Sequence, residues 1–469
     1  MKILLISANR ERTPYPVFPL GLAYLASPLA AAGHQLAMLD LCFSVDPEAA
    51  VAEVMAGFPA EAIVISIRNI DNVTFPLTRS YLGGIRKIVD LFRDRVPVIV
   101  GGSGFSLMPM EIMAFLDADY GVAGEGEEVL PRLMECIVKG IAPDLLQGVI
   151  SRGDSAFITP RLVERIGRPD RSLFAVERYH REGGMANVQT RRGCPFSCIY
   201  CTYPLLEGNR VRLRPIDDIV LELRELVERY GVSYIYFVDD IFNYPPDFAE
   251  RLCRAIAGAG LPLNWSAFIN PGFMSLSLLQ VMCKAGCDAV EFGTDSGSPL
   301  MLKNLGKSFT VDVVRASSRL CRDSGMDFAH YLLFGGPGEN RQTVLESFTL
   351  MDELSPTAVI AMTGIRIYPG TAIHRQALAE GVIGVGTSLL EPVFYISPSI
   401  RDSLCDIVTH LAGERKNWIA PGLEINVSDA MLEAMRQFQV RGPLWKLMKS
   451  VGRTHLHPMQ SSHQTPSAR

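Results

Sequence analysis

Short apolar segments alternate with amphipathic segments along most of this 469-residue chain, and that alternation limits the fold more than any other feature. In the first part, strand-like segments lie at 2–7, 35–41, 62–67, 96–100 and 120–123. Helical patterns separate them, at 19–32, 47–56, 79–92, 109–116 and 127–138. Strands that alternate with helices at this spacing predict a parallel, doubly wound sheet with helices on both faces. We therefore expect an α/β domain over residues 1–140.

A second alternating series begins after residues 141–185, a polar stretch without sustained periodicity that we interpret as a linker. Strand-like segments follow at 186–190, 232–238, 263–269, 289–292, 328–333 and 359–367. Six such units predict a partial parallel (β/α)6 barrel over residues 186–375, with its chemistry at the C-terminal mouth. We expect a small helix-rich extension over 376–453 and a disordered polar tail over 454–469.

Bulk properties exclude several classes of function. A net charge of −5 without a dense Lys/Arg block argues against a nucleic-acid partner. The first apolar run is too short for a signal peptide, and no apolar stretch reaches the length of a spanning helix, so we expect a cytoplasmic protein. Ten cysteines in such a chain do not indicate a disulfide framework, and seven of them are expected to be buried, reduced thiols.

The other three cysteines, Cys194, Cys198 and Cys201, follow the first predicted barrel strand with the spacing C-x3-C-x2-C. Gly193 and Pro195 favour an extended, turning loop there. A [4Fe–4S] cluster normally takes four thiolates, so three would leave one iron open to another ligand. Zinc and purely structural thiols are the alternatives, but paired C-x2-C elements and a nearby histidine are missing from the sequence. The spacing therefore predicts an iron–sulfur cluster.

Glycines and small polar residues stand where four strands of the first domain end. The carboxyl ends of parallel strands share one edge of a sheet, where ligands bind, and glycines allow a ligand to approach the backbone closely. No G-x-G-x-x-G follows the first strand, so NAD is not expected. Tight turns would explain any one of these loops, but four together favour a ligand site. Its candidate residues are Asn9, Ser66, Asn69, Gly101, Gly102, Ser103, Gly124, Glu125 and Gly126.

A cysteine triad of this form on the loop after the first strand of a six-unit barrel resembles the radical S-adenosylmethionine (SAM) superfamily. Further motifs carry the resemblance: Val238-Asp239-Asp240, Gly293 to Ser298, Gly335-Gly336-Pro337-Gly338-Glu339 and Tyr368-Pro369-Gly370-Thr371. The doubly wound domain ahead of the barrel resembles the cobalamin-binding subclass. Within it, residues 389–395 and 417–423 resemble the branch labelled for lipid biosynthesis.

This resemblance implies that SAM binds the open iron and is cleaved to a 5′-deoxyadenosyl radical. It implies SAM contacts from Tyr200, Asp295, Ser296, Gly336 and Glu339. The usual G-G-E-like element after the second barrel strand is replaced by Asp239-Asp240, which leaves the ligand of the SAM amino group open. Each of the acidic residues could instead cap a helix.

The resemblance further implies that the N-terminal domain is Rossmann-like and binds cobalamin on the nine candidate residues. The motif D-x-H-x-x-G, which would supply a histidine to cobalt, is absent. The first hypothesis is therefore cobalamin-dependent C-methylation of an unactivated carbon, in lipid or secondary metabolism. The alternatives are radical ring closure, rearrangement or C–C coupling without methyl transfer, and a cobalamin or redox sensor without turnover.

The expected partners are a small-molecule or lipid substrate and a reducing protein such as flavodoxin or ferredoxin. The segment 442–449 pairs Trp445, Leu444 and Met448 with two lysines. Docking of this segment on the barrel is the favoured interpretation. Peripheral contact with a membrane is the alternative and would suit a lipid substrate.

Overall fold

The computed structural model describes residues 1–420 and 441–449. Its N-terminal part contains six strands and seven helices within those residues. The strands are β1 (Lys2–Ser7), β2 (Gln35–Asp40), β3 (Ala62–Ser66), β4 (Val98–Gly101), β5 (Tyr120–Val122) and β6 (Val149–Ser151). The helices are α1 (Leu20–Ala31), α2 (Pro47–Gly57), α3 (Leu82–Asp90), α4 (Ser103–Leu107), α5 (Pro109–Leu116), α6 (Val129–Lys139) and α7 (Val176–Gly183).

These strands form one sheet in the order β2-β1-β3-β4-β5-β6, in which only β6 is antiparallel. Side chains of β1 alternate between two cores: Ile3 and Leu5 pack on one face, and Leu4 and Ile6 on the other. A strand buried on both faces needs a continuous apolar run, which is why the sequence pattern located it. The strand order reverses between β1 and β3, and ligands bind beyond the carboxyl ends at such a point.

The second part is the predicted partial barrel. Its main sheet follows the order β17-β14-β13-β12-β11-β10-β7, and every pairing in it is parallel. These strands are β7 (Ala186–Val188), β10 (Tyr234–Phe237), β11 (Asn264–Ile269), β12 (Cys287–Asp295), β13 (Asp327–Phe334), β14 (Ala358–Thr363) and the short β17 (Trp418–Ile419). Two small antiparallel pairs join β8 (Arg191–Arg192) to β9 (Arg212–Leu213), and β15 (Ile365–Arg366) to β16 (Phe394–Tyr395).

Helices connect the strands of this second part. They are α8 (Tyr203–Leu206), α9 (Ile216–Tyr230), α10 (Pro246–Ala259), α11 (Leu276–Lys284), α12 (Pro299–Asn304), α13 (Val311–Asp323), α14 (Arg341–Leu354), α15 (Ala372–Ala379) and α16 (Leu404–Gly413). Long helices such as α9 and α10 begin with acidic residues and end at Gly231 and Gly260 in the left-handed conformation. Both ends follow the ordinary sequence signals for helix boundaries.

The expectation that residues 141–185 form a linker is wrong for part of that stretch. β6 lies inside it and adds an antiparallel edge to the first sheet, and α7 packs against β7 of the barrel. Three-residue strands are too short to leave a periodic signal, which is why the sequence did not reveal β6. The two parts also share a core, since residues of β1, α1 and α6 pack in one cluster with residues of β7 and β10.

The C-terminal segment docks on the barrel, as the favoured interpretation predicted. Residues 444–449 form a 3-10 helix whose Trp445 is buried against Ala289, Ala329 and Ala358. The predicted disordered tail over 454–469 lies outside the described residues. Within the described ranges, no helix is long and apolar enough to cross a membrane.

Candidate active site

The loop that carries the cysteine triad leaves β8 at Gly193, which has a φ of +91°. A Cβ atom at this position would lie 2.3 Å from the carbonyl oxygen of Arg210, so only glycine fits without a backbone shift. The Gly193 N–H donates to Oε2 of Glu207 at 3.0 Å, and the Cys194 N–H donates to the Gly208 carbonyl at 3.1 Å. These contacts fix the start of the loop on the segment that precedes β9.

The three thiols lie on one short loop between β8 and α8, where Cys194 is buried and Cys198 and Cys201 are half-buried. Burial raises the pKa of Cys194 to about 11 and that of Cys201 to about 12, and burial also raises the pKa of Cys198. Thiolates in such a place need a cation to stabilise them, which iron would provide. Three thiols on one loop thus suit the predicted cluster. Over the described ranges, no three His, Cys, Asp or Glu side chains are arranged to hold a single metal ion.

Tyr200 and Asp295 come together beside the triad. The Tyr200 hydroxyl donates to Oδ2 of Asp295, and the Lys307 ammonium donates to the same oxygen at 2.8 Å. Lys307 also acts on the Cys198 thiol, where its positive charge lowers the pKa against the larger effect of burial. Asp295 ends β12 in the left-handed region, at a φ of +63°. Two residues predicted to contact SAM therefore form one buried, charged cluster next to a predicted iron ligand.

Ser296, Gly336 and Glu339 lie at the same edge of the barrel but take part in turns of the protein. Ser296 Oγ lies 3.0 Å from Ser347 Oγ and accepts the Ser298 N–H. Glu339 Oε2 accepts the Gly335 N–H at 2.6 Å and the Gly336 N–H at 3.3 Å. Their roles as SAM contacts remain predictions.

Asp239 and Asp240 differ sharply in their surroundings. Asp239 accepts the N–H groups of Thr190 and Arg191 and the Thr190 hydroxyl, so it joins the end of β10 to the loop after β7. Oδ2 of Asp240 is buried and has no hydrogen-bond partner in the described part of the chain. Burial, followed by the charge of Glu207, raises the pKa of Asp240 to about 8.

A cavity of ≈ 600 Å³ lies between the carboxyl edge of the first sheet and the barrel mouth. All nine residues predicted to bind cobalamin line it: Asn9, Ser66, Asn69, Gly101, Gly102, Ser103, Gly124, Glu125 and Gly126. The opposite wall comes from the barrel and includes Arg192, Thr202, Tyr203 and Glu207. Cavities of this size hold organic ligands in other proteins. The residues present therefore fit a large ligand held by loops of the first domain.

Gly102 allows two loops of the first-domain wall to pack closely. Its φ is +103°, and a Cβ atom would lie 2.7 Å from the carbonyl oxygen of Ile67. The neighbouring loops after β3 and β4 can approach each other only because that side chain is absent. A flat ligand thus meets backbone here rather than side chains.

Buried ion pairs join the cavity loop after β5 to the β8–β9 pair, whose two strands flank the triad loop. Arg212 binds both carboxylate oxygens of Glu125 at 2.7 Å, and Oε2 of Glu125 also accepts the Val163 N–H. Arg192 lies 3.3 Å from Glu125 and donates to Glu127 at 2.6 Å. Burial raises the pKa of Glu125, but the hydrogen bond from Arg212 and the charge of Arg192 outweigh it and lower the pKa overall. The carboxylate of Glu125 is thus occupied by hydrogen bonds and ion pairs within the protein.

Sequence reasoning missed Lys307 and Arg68. Lys307 follows α12, where a basic residue usually indicates only an ordinary helix C-terminus, so nothing in the sequence pointed to a cluster neighbour. Arg68 lines the cavity between Ser66 and Asn69, and burial lowers the pKa of its guanidinium. Its position on a predicted ligand loop could have identified it.

Comparisons with known proteins agree with this arrangement. The B12 binding domain family matches residues 6–134, and the Radical SAM superfamily matches residues 188–351. An uncharacterized methyltransferase of Pyrococcus horikoshii is 27% identical over 403 residues, covering 82% of this chain and 84% of the relative. The tryptophan 2-C-methyltransferase of Streptomyces laurentii is 25% identical over 459 residues, covering 82% and 76%.

Among solved structures, the radical SAM methyltransferase TsrM from Kitasatospora setae, with cobalamin and a [4Fe–4S] cluster bound, matches with a TM-score of 0.85. The match covers 96% of this chain and 97% of that chain at 22% identity, and it confirms the predicted fold class. The two family matches confirm the predicted combination of a cluster, SAM and cobalamin in one enzyme. This chain belongs to the radical SAM superfamily, and it carries a B12 binding domain ahead of its radical SAM domain.

Proposed function

We propose that this enzyme is a cobalamin-dependent methyltransferase that acts on an unactivated carbon of a small molecule. One observation carries the proposal: a single cavity is bounded by the loops of the B12 binding domain and by residues next to the cysteine triad. Thr202 and Tyr203, which line that cavity, follow Cys201 directly in the chain. Two cofactors held on these opposite walls would face the same substrate.

Cys194, Cys198 and Cys201 would hold the cluster, and the nine loop residues of the first domain would hold cobalamin, Glu125 through its backbone because its carboxylate is bound by Arg212. When bound, the cluster with SAM supplies one-electron chemistry at a C–H bond, and cobalamin supplies a transferable methyl group. The protein's own contribution is to position these groups and exclude water. The thiols are buried or half-buried, and the side chains of Asp295 and Lys307 are each 8% exposed. This burial helps both to position these groups and to exclude water.

Tyr200 and Asp295 are the strongest candidates for SAM contacts, because they form a buried polar cluster beside Cys198. Lys307 balances the charge of Asp295 and adds a cation near the thiols. Ser296, Gly336 and Glu339 would shape the adjacent wall. Their hydrogen bonds to neighbouring residues and backbone keep the strand ends rigid.

The same proposal includes a reducing protein partner of the flavodoxin or ferredoxin type and a cytoplasmic location. A low-potential cluster needs an external electron donor. For the substrate we propose a small molecule, with tryptophan among the first compounds to test because one curated relative is a tryptophan methyltransferase. The lipid substrate suggested by the sequence resemblance, with peripheral membrane contact, is a second compound class for the same panel.

The test uses protein purified anaerobically with a reconstituted cluster and bound cobalamin. With dithionite, SAM and each member of the substrate panel, we expect deoxyadenosine with methionine, S-adenosylhomocysteine, and a product heavier by one methylene unit. A product with two hydrogens fewer, or of unchanged mass, would support radical chemistry without methyl transfer. Cobalamin binding without any SAM cleavage above a Cys201→Ala control would indicate a sensor and contradict the proposal.

A further inference from the structure

Side chains on the inner face of the barrel are partly exposed above its floor. On β10, β11, β13 and β14, one face carries such side chains, while the residues on either side of them in the chain are buried. These residues are Tyr236, Phe268, Tyr331 and Ile360. Ring contacts join Tyr236 to Phe268 and Phe268 to Tyr331 across the strands, so they share the inner face. Partial exposure on that face indicates open space inside the barrel, which we call the lumen.

The floor of the lumen is built from small strand residues and the C-terminal segment. Ala289, Ala329 and Ala358 leave room for the indole of Trp445, which is 4% exposed. The indole N–H donates to Oε1 of Glu291 at 2.6 Å. Glu291 is therefore part of this floor, and it is 1% exposed.

Every hydrogen-bond partner of Glu291 in the described part of the chain is a neutral donor. The Tyr236 hydroxyl donates to Oε2 at 2.7 Å, and the Tyr331 hydroxyl also donates to this carboxylate. Burial raises the pKa of Glu291, and the hydrogen bonds from Trp445, Tyr236 and Tyr331 oppose that shift. The donors thus favour the charged form of this carboxylate, which burial disfavours, and no cation is among the groups that act on it within the described ranges.

This arrangement determines which hydrogen-bonding groups the tyrosines present to the lumen. A tyrosine hydroxyl has one proton to donate, and its oxygen can also accept. Since the hydroxyl protons of Tyr236 and Tyr331 are donated to Glu291, these residues offer only acceptor oxygens to a ligand in the lumen. A ligand with a hydrogen-bond donor would be satisfied there, whereas an acceptor in the same place would be buried without a partner.

We propose that the lumen selects an aromatic or otherwise apolar small molecule that points an N–H or O–H donor at the Tyr236–Tyr331–Glu291 floor. This deepens and rests on the proposed function, because it names the class of substrate. The competing explanation is that the network only anchors Trp445 and the C-terminal segment. That explanation predicts no preference among ligands.

A matched pair of probes separates the two explanations. Indole and benzofuran have nearly the same shape, but indole carries an N–H donor where benzofuran has a ring oxygen. Titration of each into the cobalamin-loaded, cluster-reconstituted protein, followed by ligand-observed NMR, gives two dissociation constants. We expect indole to bind about three- to tenfold more tightly, the effect of one buried hydrogen bond.

Two variants test the cause of that preference. In Glu291→Gln the amide can donate to one tyrosine, so that hydroxyl is free to donate into the lumen and the ratio should fall towards one. Tyr331→Phe removes an acceptor and should also lower the ratio, while the contact of Trp445 with Glu291 remains. Near-ultraviolet circular dichroism and cobalamin content report whether each variant is folded.

The proposal is overturned if the wild type binds both probes equally or binds neither. It is also overturned if the ratio persists in both folded variants, since selection would then not depend on the floor. Deoxyadenosine formation, measured on the same preparations, reports on the proposed function separately. Equal binding of the two probes by wild-type protein that still cleaves SAM would contradict the substrate class alone.

Discussion

The carboxyl edges of the two sheets face each other across one cavity, yet they are built from different materials. The edge of the first domain is mostly backbone and small side chains, as at Gly101, Gly102 and Ser103. The barrel edge is built from buried charges held in pairs, such as Asp295 with Lys307. A backbone wall recognises a large ligand by shape, whereas paired charges hold small groups in fixed directions. The difference teaches that one half of the site is adapted to a bulky cofactor and the other to reacting atoms.

The largest effect should come from the charged half. Cys201→Ala removes one of three cluster ligands, and we expect deoxyadenosine formation to fall by about three orders of magnitude or more, because SAM cleavage needs the low-potential cluster. Iron content and the electron paramagnetic resonance signal of the reduced cluster should fall with it. Cys283, which the sequence analysis expected to be buried, is exposed in the structure, so Cys283→Ala is the matched control and should leave both unchanged. Full activity in Cys201→Ala would contradict the conclusion that the barrel half of the site carries the reacting atoms.

The next largest effect concerns the ion pairs that join the two halves. Arg212→Ala leaves the buried Glu125 carboxylate without its bidentate partner, so we expect the free energy of unfolding to fall by about 3–5 kcal/mol. Arg210 lies two residues away and pairs with Glu164 at the surface. Arg210→Ala should cost about 0–1 kcal/mol. Chemical denaturation of both variants measures the difference, and equal losses would contradict a special role for the buried pair.

A pH-dependent effect follows from Glu339 at the barrel edge. Burial raises its pKa to about 7 from the usual 4.5, so between these values the folded state binds more protons than the unfolded state. The free energy of unfolding should therefore fall as the pH rises through this interval, by at most about 3 kcal/mol.

Glu339→Gln should remove this fall, and denaturation at pH 5 and pH 8 would show it. Glu228→Gln, on an exposed helix face, is the control and should keep the wild-type slope. An unchanged slope in Glu339→Gln would show that Glu339 does not hold its proton in the folded protein.

The smallest effect is expected in the backbone-lined half. Gly102→Ala introduces a Cβ atom 2.7 Å from a carbonyl oxygen at a left-handed φ, which should cost about 1–3 kcal/mol of stability and lower cobalamin occupancy. Gly258 lies on an exposed face of α10 with open space around its Cα. Gly258→Ala should be neutral or slightly stabilising and should keep cobalamin binding. Unchanged cobalamin occupancy in Gly102→Ala would contradict the idea that backbone forms this wall.

Sequence patterns predicted the fold closely because nearly all strands of the two main sheets are parallel and largely buried. Strands such as β1 then need continuous apolar runs, and helices such as α9 need amphipathic ones. The common location of the loops after these strands could also be predicted, since the carboxyl ends of parallel strands must meet at one edge. β6 was missed because a three-residue antiparallel strand has no periodicity.

The candidate site divides in the same way. The triad and the glycine loops are local patterns and can be found in a single sequence. Lys307 and the contact of Trp445 with Glu291 are not local, since Trp445 and Glu291 lie 154 positions apart. Pairs of this kind depend on how the chain packs, so no spacing in the sequence predicts them.

The docking of Trp445 has a consequence for the movement of ligands. The indole packs among Ala289, Ala329 and Ala358 and blocks the barrel there, at the end opposite the first domain. Substrate and product would then share one route, which runs beside the cofactor held by that domain. Such a chamber imposes an order on turnover: a spent molecule must depart before its successor can arrive.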